Sequence, residues 1–129
     1  MSVLLFSYGT LLPQHAPREI TALVAKLKPV GQGSVRGVLF DFGRYPGAVL
    51  DLSSGKKIFG TVFKLPADPG FLDELDKYEG FSPAHPSSSL FIRKRWRVTL
   101  TDGRVLRCWI YEYNRRPGSA RMVASGRWG

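Results

Sequence analysis

The sequence has few of the residues on which disulfide, metal and redox chemistry depend. Its single cysteine, Cys108, cannot form an internal disulfide, and its apolar surroundings indicate a buried core thiol. The two histidines, His15 and His85, stand in proline-containing segments without the spacing of metal ligands. Neither a Gly-x-Ser-x-Gly motif nor a Gly-x-Gly-x-x-Gly motif after a strand occurs. We therefore expect no metal, no cofactor and no catalytic triad.

Long hydrophobic runs are also absent. The chain has no basic start, its first apolar run is broken at Ser7, and no later run approaches membrane-spanning length. A 43% hydrophobic fraction with 22% charged residues is ordinary for a globular protein. We expect a cytoplasmic protein without membrane association, folded as a single domain over residues 1–129.

Acidic residues are scarce. The chain has ten acidic and 19 basic residues, so its net charge is +9. Ten of the basic residues lie in two stretches: Arg93, Lys94, Arg95 and Arg97, then Arg104, Arg107, Arg115, Arg116, Arg121 and Arg127. Such a charge attracts nucleic acid, anionic membranes or small acidic substrates, and charge alone does not choose among them.

Six segments have the composition of strands, and two that of helices. The predicted strands cover residues 3–8, 34–40, 48–52, 58–65, 90–100 and 105–113. The last two flank Asp102-Gly103, which predicts a hairpin. One helix is predicted from Pro17 to Leu27 by apolar spacing, and a second from Asp68 to Glu79, where Asp caps the start and Gly80 stops the end.

The first hairpin strand alternates between apolar and basic residues. Arg93, Arg95 and Arg97 share one parity, which predicts a solvent-facing row. Lys94 falls on the apolar parity, so either a bulge shifts the register there or its ammonium points toward a polar site.

Two places could carry chemistry. The loop Tyr8-Gly9-Thr10-Leu11 follows a strand and can present backbone N–H groups to a carboxylate or an oxyanion, although such a turn can also be purely structural. Glu79 stands at the C-terminal end of a helix, where the dipole and partial burial would raise its pKa toward neutrality. The alternative is a solvated helix-end residue paired with a basic neighbour.

Several motifs occur in order along nearly the whole chain. They are Phe6-Ser7-Tyr8-Gly9-Thr10-Leu11, Tyr45-Pro46-Gly47, the segment from Leu72 to Gly80, Phe91-Ile92-Arg93, Tyr111-Glu112-Tyr113 and Ser125-Gly126-Arg127-Trp128. In this order they resemble the gamma-glutamylcyclotransferase-like superfamily, especially its gamma-glutamylamine cyclotransferase-like branch.

The resemblance implies an α+β fold, with a mixed sheet partly closed into a small barrel and about two main helices packed on it. It implies that Tyr8, Gly9, Thr10 and Leu11 bind a gamma-glutamyl moiety through backbone amides and that Glu79 is the general acid/base. The implied reaction cyclises a gamma-glutamyl amine to 5-oxoproline and releases a free amine, without a metal or cofactor. The partner is then a small-molecule substrate, and we expect a monomer or weak homodimer.

The chain also departs from this pattern. The usual Tyr-x-Arg appears as Phe91-Ile92-Arg93, and the loop over residues 82–89 is longer and contains His85. Arg44 and Tyr113 either line the site or are a surface arginine and a core or rim tyrosine. Two other functions stay open: a non-catalytic protein that binds a small metabolite, and, less favoured, a basic nucleic-acid-binding module.

Overall fold

The structure is a computed structural model that describes residues 3–9, 11–12 and 16–128 of the 129. Its strands are β1 Leu4–Ser7, β2 Lys28–Asp41, β3 Pro46–Leu50, β4 Lys57–Lys64, β5 Phe91–Leu100, β6 Val105–Tyr113 and β7 Arg121–Met122. Its helices are α1 Thr21–Val24 and α2 Gly70–Glu79, with short 3-10 turns at Arg18–Ile20 and Pro86–Ser88. None of the helices in these ranges is long and apolar enough to cross a membrane.

Five strands close into a barrel. Neighbouring strands follow the order β2, β4, β1, β6 and β5, and β5 pairs with β2 again through Gly33 opposite Leu100 and Ser34 opposite Thr99. The β1–β6 pair is parallel, while the other pairs are antiparallel. β3 and β7 pair with the far end of β2, outside this ring. The prediction of a mixed sheet closed into a small barrel with helices packed on it is confirmed.

The alternation of side chains along β1 divides the core in two. Phe6 and Tyr8 pack inside the barrel, whose filling comes from all five strands of the ring. Leu5 faces outward into a second cluster, which α2 covers with Phe71 and Leu75. Ser7 shares the outward parity of Leu5, so the end of β1 delivers a polar side chain beneath the end of α2.

α2 holds the position of Glu79. Asp68 accepts a hydrogen bond from the N–H of Gly70 at 2.9 Å near the start of the helix. At the other end Gly80 adopts a left-handed conformation with φ +70°, which ends the helix directly after Glu79 as predicted. The C-terminus of the helix is thereby fixed against the barrel.

The first predicted helix is shorter than its spacing indicated. The chain forms only the 3-10 turn Arg18–Ile20 and the single turn of α1, and from Lys28 onward it is in β2. Lys28 and Pro29 pair with β4, and a bulge follows before Gly31. The sheet pairing that begins directly after the predicted end of the helix leaves one regular α-helical turn before it, yet Leu27 is buried as the pattern indicated.

The predicted solvent-facing row of arginines is wrong at Arg93. Its guanidinium forms a bidentate ion pair with Asp76 of α2, at 2.8 and 3.2 Å, and its side chain is only 15% exposed. The helix covers this part of the strand, whereas Arg95 and Arg97 beyond it are exposed as predicted. Lys94 forms an ion pair with Glu112 on the neighbouring strand, and the β5–β6 register is unbroken there, so no bulge is present.

Candidate active site

A cavity of about 210 Å³ opens where β1 ends. This volume is below the range of roughly 300–1,000 Å³ that is usual for drug-sized ligands, and therefore suits a small metabolite. It is lined by the end of β1 and the following loop, the start of β3, the end of α2 and the hairpin: Phe6, Ser7, Tyr8, Gly9, Leu11, Tyr45, Pro46, Tyr78, Glu79, Gly80, Leu90, Phe91 and Tyr111. The loop and the acid singled out in the sequence thus share one cavity.

Glu79 is the carboxyl group of this cavity, and it is half-buried. Burial, and to a smaller extent the nearby carboxylate of Asp76, together raise its pKa from 4.5 to about 8. The raised pKa agrees with the direction predicted from the sequence. A carboxyl group with this pKa exchanges protons close to neutral pH.

Asp76 is fixed one helical turn before Glu79. Its carboxylate is 2% exposed, receives the two hydrogen bonds from Arg93 and accepts a third from the hydroxyl of Tyr111 at 2.7 Å. Burial and this hydrogen bond raise the pKa of the Tyr111 phenol. Asp76 therefore holds α2 on the hairpin and places a fixed negative charge near Glu79.

The hydroxyl of Tyr8 is already engaged inside the protein. It donates to the backbone carbonyl of Tyr111 and accepts the N–H of Ala48 at 3.3 Å. Burial, followed by the charge of Glu79, raises the pKa of this phenol. Tyr8 thus joins β1 to β6 and β3, so that its ring and backbone, rather than its hydroxyl, are presented to the cavity.

The loop after β1 passes very close to β3. A Cβ atom added to Gly9 would lie 2.4 Å from Cγ of Pro46, so no larger residue fits without displacing the proline. The N–H of Leu12 donates to the carbonyl of Gly9 at 2.9 Å and closes the turn. Leu11 lines the cavity, while Thr10 lies outside the described residues.

Ser7 is a lining residue that sequence reasoning missed. It is 3% exposed, and its Oγ has no hydrogen-bond partner among the residues that the structure describes. A buried hydroxyl without a partner lowers the stability of a protein by about 1–3 kcal/mol, so a serine is an unusual residue at this position. The available signal was a polar residue closing an otherwise apolar strand.

The remaining wall was also missed. Tyr45, just before β3, and Pro46, its first residue, line this wall, and the rings of Tyr45 and Phe91 meet edge to face at 5.9 Å. Arg44 is exposed and does not line the cavity, and Tyr113 instead stacks on Phe42 at 4.2 Å. These two are therefore a surface arginine and a rim tyrosine.

The barrel with its two helices is the gamma-glutamyl cyclotransferase-like α+β fold. A family model described as gamma-glutamyl cyclotransferase, AIG2-like matches residues 5–129, and the chain belongs to this family. A search of curated proteins found no match.

Several solved structures are similar to this one. YkqA from Bacillus subtilis has a TM-score of 0.72 at 26% identity, with 99% of this chain covered but only 40% of YkqA. An aig2-like protein from Mus musculus has a TM-score of 0.70 at 20% identity, with 90% and 80% of the two chains covered. Protein ytfP from Escherichia coli has a TM-score of 0.67 at 24% identity, with 98% and 96% covered. The mouse and Escherichia coli likenesses show the fold alone.

Proposed function

We propose that this protein cyclises a gamma-glutamyl amine to 5-oxoproline and releases the free amine, with Glu79 as the acid/base. The observation that carries the proposal is a carboxyl group with a pKa of about 8 in the same small cavity as the loop after β1. Family membership supports this class of reaction.

The reaction needs one nucleophile, and the substrate contains it. The alpha-amino nitrogen attacks the gamma-carbonyl carbon, a new C–N bond closes the five-membered ring, and the original C–N bond to the amine breaks. Glu79 takes a proton from the attacking nitrogen and returns it to the departing amine, so that no proton, water or electron is consumed. Because the attack is intramolecular, positioning of the folded-back chain supplies much of the rate enhancement.

The loop after β1 would hold the glutamyl part. We assign the backbone N–H groups of Tyr8, Gly9, Thr10 and Leu11 to the substrate carboxylate or the developing oxyanion, because such groups at a strand end favour anions. The close packing of Gly9 on Pro46 restricts the backbone at Gly9, and donors held in place stabilise a developing charge without reorganising. The surplus of basic residues attracts an anionic glutamyl compound toward the surface.

The test is the substitution Glu79→Gln, with Glu74→Gln as a matched control on the same helix. Glu74 is exposed and does not line the cavity. Release of 5-oxoproline from a panel of gamma-glutamyl amines should fall by a factor of at least about a hundred in E79Q and stay unchanged in E74Q. Turnover that E79Q leaves intact would contradict the assignment. Thermal stabilisation by these compounds without any product would instead favour a non-catalytic binding protein.

A further inference from the structure

The wall of the cavity beside Glu79 consists mainly of apolar and aromatic surface. Leu90 and Phe91 form this part of the lining together with the ring of Tyr45, which packs edge to face on Phe91 at 5.9 Å, and Phe91 is 4% exposed. Among the described lining residues, Glu79 is the one acid, and none is a lysine, arginine or histidine. A charged group bound against this wall would lose hydration without gaining a counter-charge from Leu90, Phe91 or Tyr45.

The hydrogen bonds of the hairpin place this wall next to Glu79. The N–H of Leu90 donates to the carbonyl of Gly80, the residue after Glu79, at 3.1 Å. The strand from Leu90 to Phe91 therefore runs directly past the C-terminus of α2. If Glu79 gives a proton to the nitrogen of the departing amine, the substituent on that nitrogen lies beside Leu90 and Phe91.

Two aromatic neighbours fix the ring of Phe91 in this wall. The ring packs edge to face on Tyr45 at 5.9 Å and on Tyr113 at 5.6 Å, so both neighbours hold it in place. A phenylalanine here offers the cavity a ring without a hydroxyl. Phe91 therefore adds no polar group to this part of the wall.

On this geometry, and resting on the proposed function, we infer that Leu90, Phe91 and Tyr45 form a subsite for the departing amine. This subsite selects amines whose substituent is apolar and carries no charge. Phe91 is its specificity-determining residue. Amines that end in a carboxylate or an ammonium group are disfavoured, because the described lining provides no counter-charge apart from Glu79, which the reaction itself uses.

A matched substrate series tests the inference on the intact protein. Gamma-glutamyl derivatives of n-butylamine, 4-aminobutyrate and 1,4-diaminobutane have similar lengths and differ in the charge at the far end. We expect kcat/KM for the butylamine derivative to exceed that for each charged derivative by at least about tenfold. Turnover of either charged derivative at the same or a higher efficiency would overturn the inference and leave the proposed function standing. Absence of turnover with all three, together with the other amines of the panel, would overturn both.

Substitution of Phe91 supplies the second arm. F91Y adds one hydroxyl to the wall and should lower the ratio of kcat/KM for the butylamine derivative to kcat/KM for each charged derivative by about threefold or more. F91L adds no polar group to the wall and should leave this ratio unchanged. F59Y makes the same chemical change at Phe59, which does not line this cavity, and should leave the preference unchanged. A preference that is identical in the parent protein, F91Y and F91L would remove Phe91 from the subsite.

Discussion

The substitution Glu79→Gln should make the protein more stable at alkaline pH. The ordinary pKa of this carboxyl is 4.5 and its folded-state pKa is about 8. Between these values the unfolded chain is ionised while the folded protein keeps the proton, so folding becomes less favourable as pH rises. The cost is absent below about pH 4.5, grows through the interval and is complete above about pH 8. At 1.36 kcal/mol per pH unit, the difference between the two pKa values corresponds to a loss of at most about 5 kcal/mol in the free energy of unfolding.

We expect the actual loss of unfolding free energy to be about 2–4 kcal/mol, because Glu79 is half-buried and solvent offsets part of the penalty. Glutamine has nearly the same shape and does not ionise, so E79Q removes the cost. Urea unfolding of both proteins at pH 4.5, 6.5 and 8.5 gives the difference in unfolding free energy at each pH. The difference should be near zero at pH 4.5 and largest at pH 8.5. A difference that is constant across these pH values would refute the raised pKa of Glu79.

Three further predictions follow from the same contacts. If ionised Glu79 is the base, kcat/KM should rise with a slope of one to a plateau above about pH 8, and should be roughly a hundredfold lower at pH 6; a flat profile between pH 6 and 9 would contradict this role. Arg93→Met leaves the carboxylate of Asp76 buried without its ion pair, so urea unfolding should show a loss of about 3–5 kcal/mol, whereas Arg95→Met at an exposed position should change stability by less than about 1 kcal/mol. Ser7→Ala removes a buried hydroxyl that has no partner among the described residues and should raise the unfolding free energy by about 1 kcal/mol; destabilisation would show that the hydroxyl is satisfied in solution.

Local signals account for the features that could be predicted. The apolar run before Ser7, with Gly9 soon after it, predicted a buried strand followed by a loop, and Gly80 predicted the point at which α2 stops. Both are set by residues close together in the sequence. They made Glu79 and the loop after β1 candidates, the family resemblance implied their roles, and the two line the same cavity.

Long-range pairing accounts for what was missed. Tyr45, Pro46 and Phe91 reach the cavity only because β3 joins β2 and the hairpin lies beside β1, and no local spacing encodes those neighbours. Arg93 was expected in solvent because the alternation of residues along a strand does not show whether a helix covers one face of that strand. The ion pair with Asp76 depends on that crossing.

The most direct test of the central claim is the fate of water in the reaction. The protein is incubated with the gamma-glutamyl derivative of n-butylamine in water labelled with oxygen-18, and the products are analysed by mass spectrometry. Intramolecular cyclisation predicts unlabelled 5-oxoproline and butylamine in equal amounts. Glutamate that carries oxygen-18 would show hydrolysis by water instead, and would contradict the account.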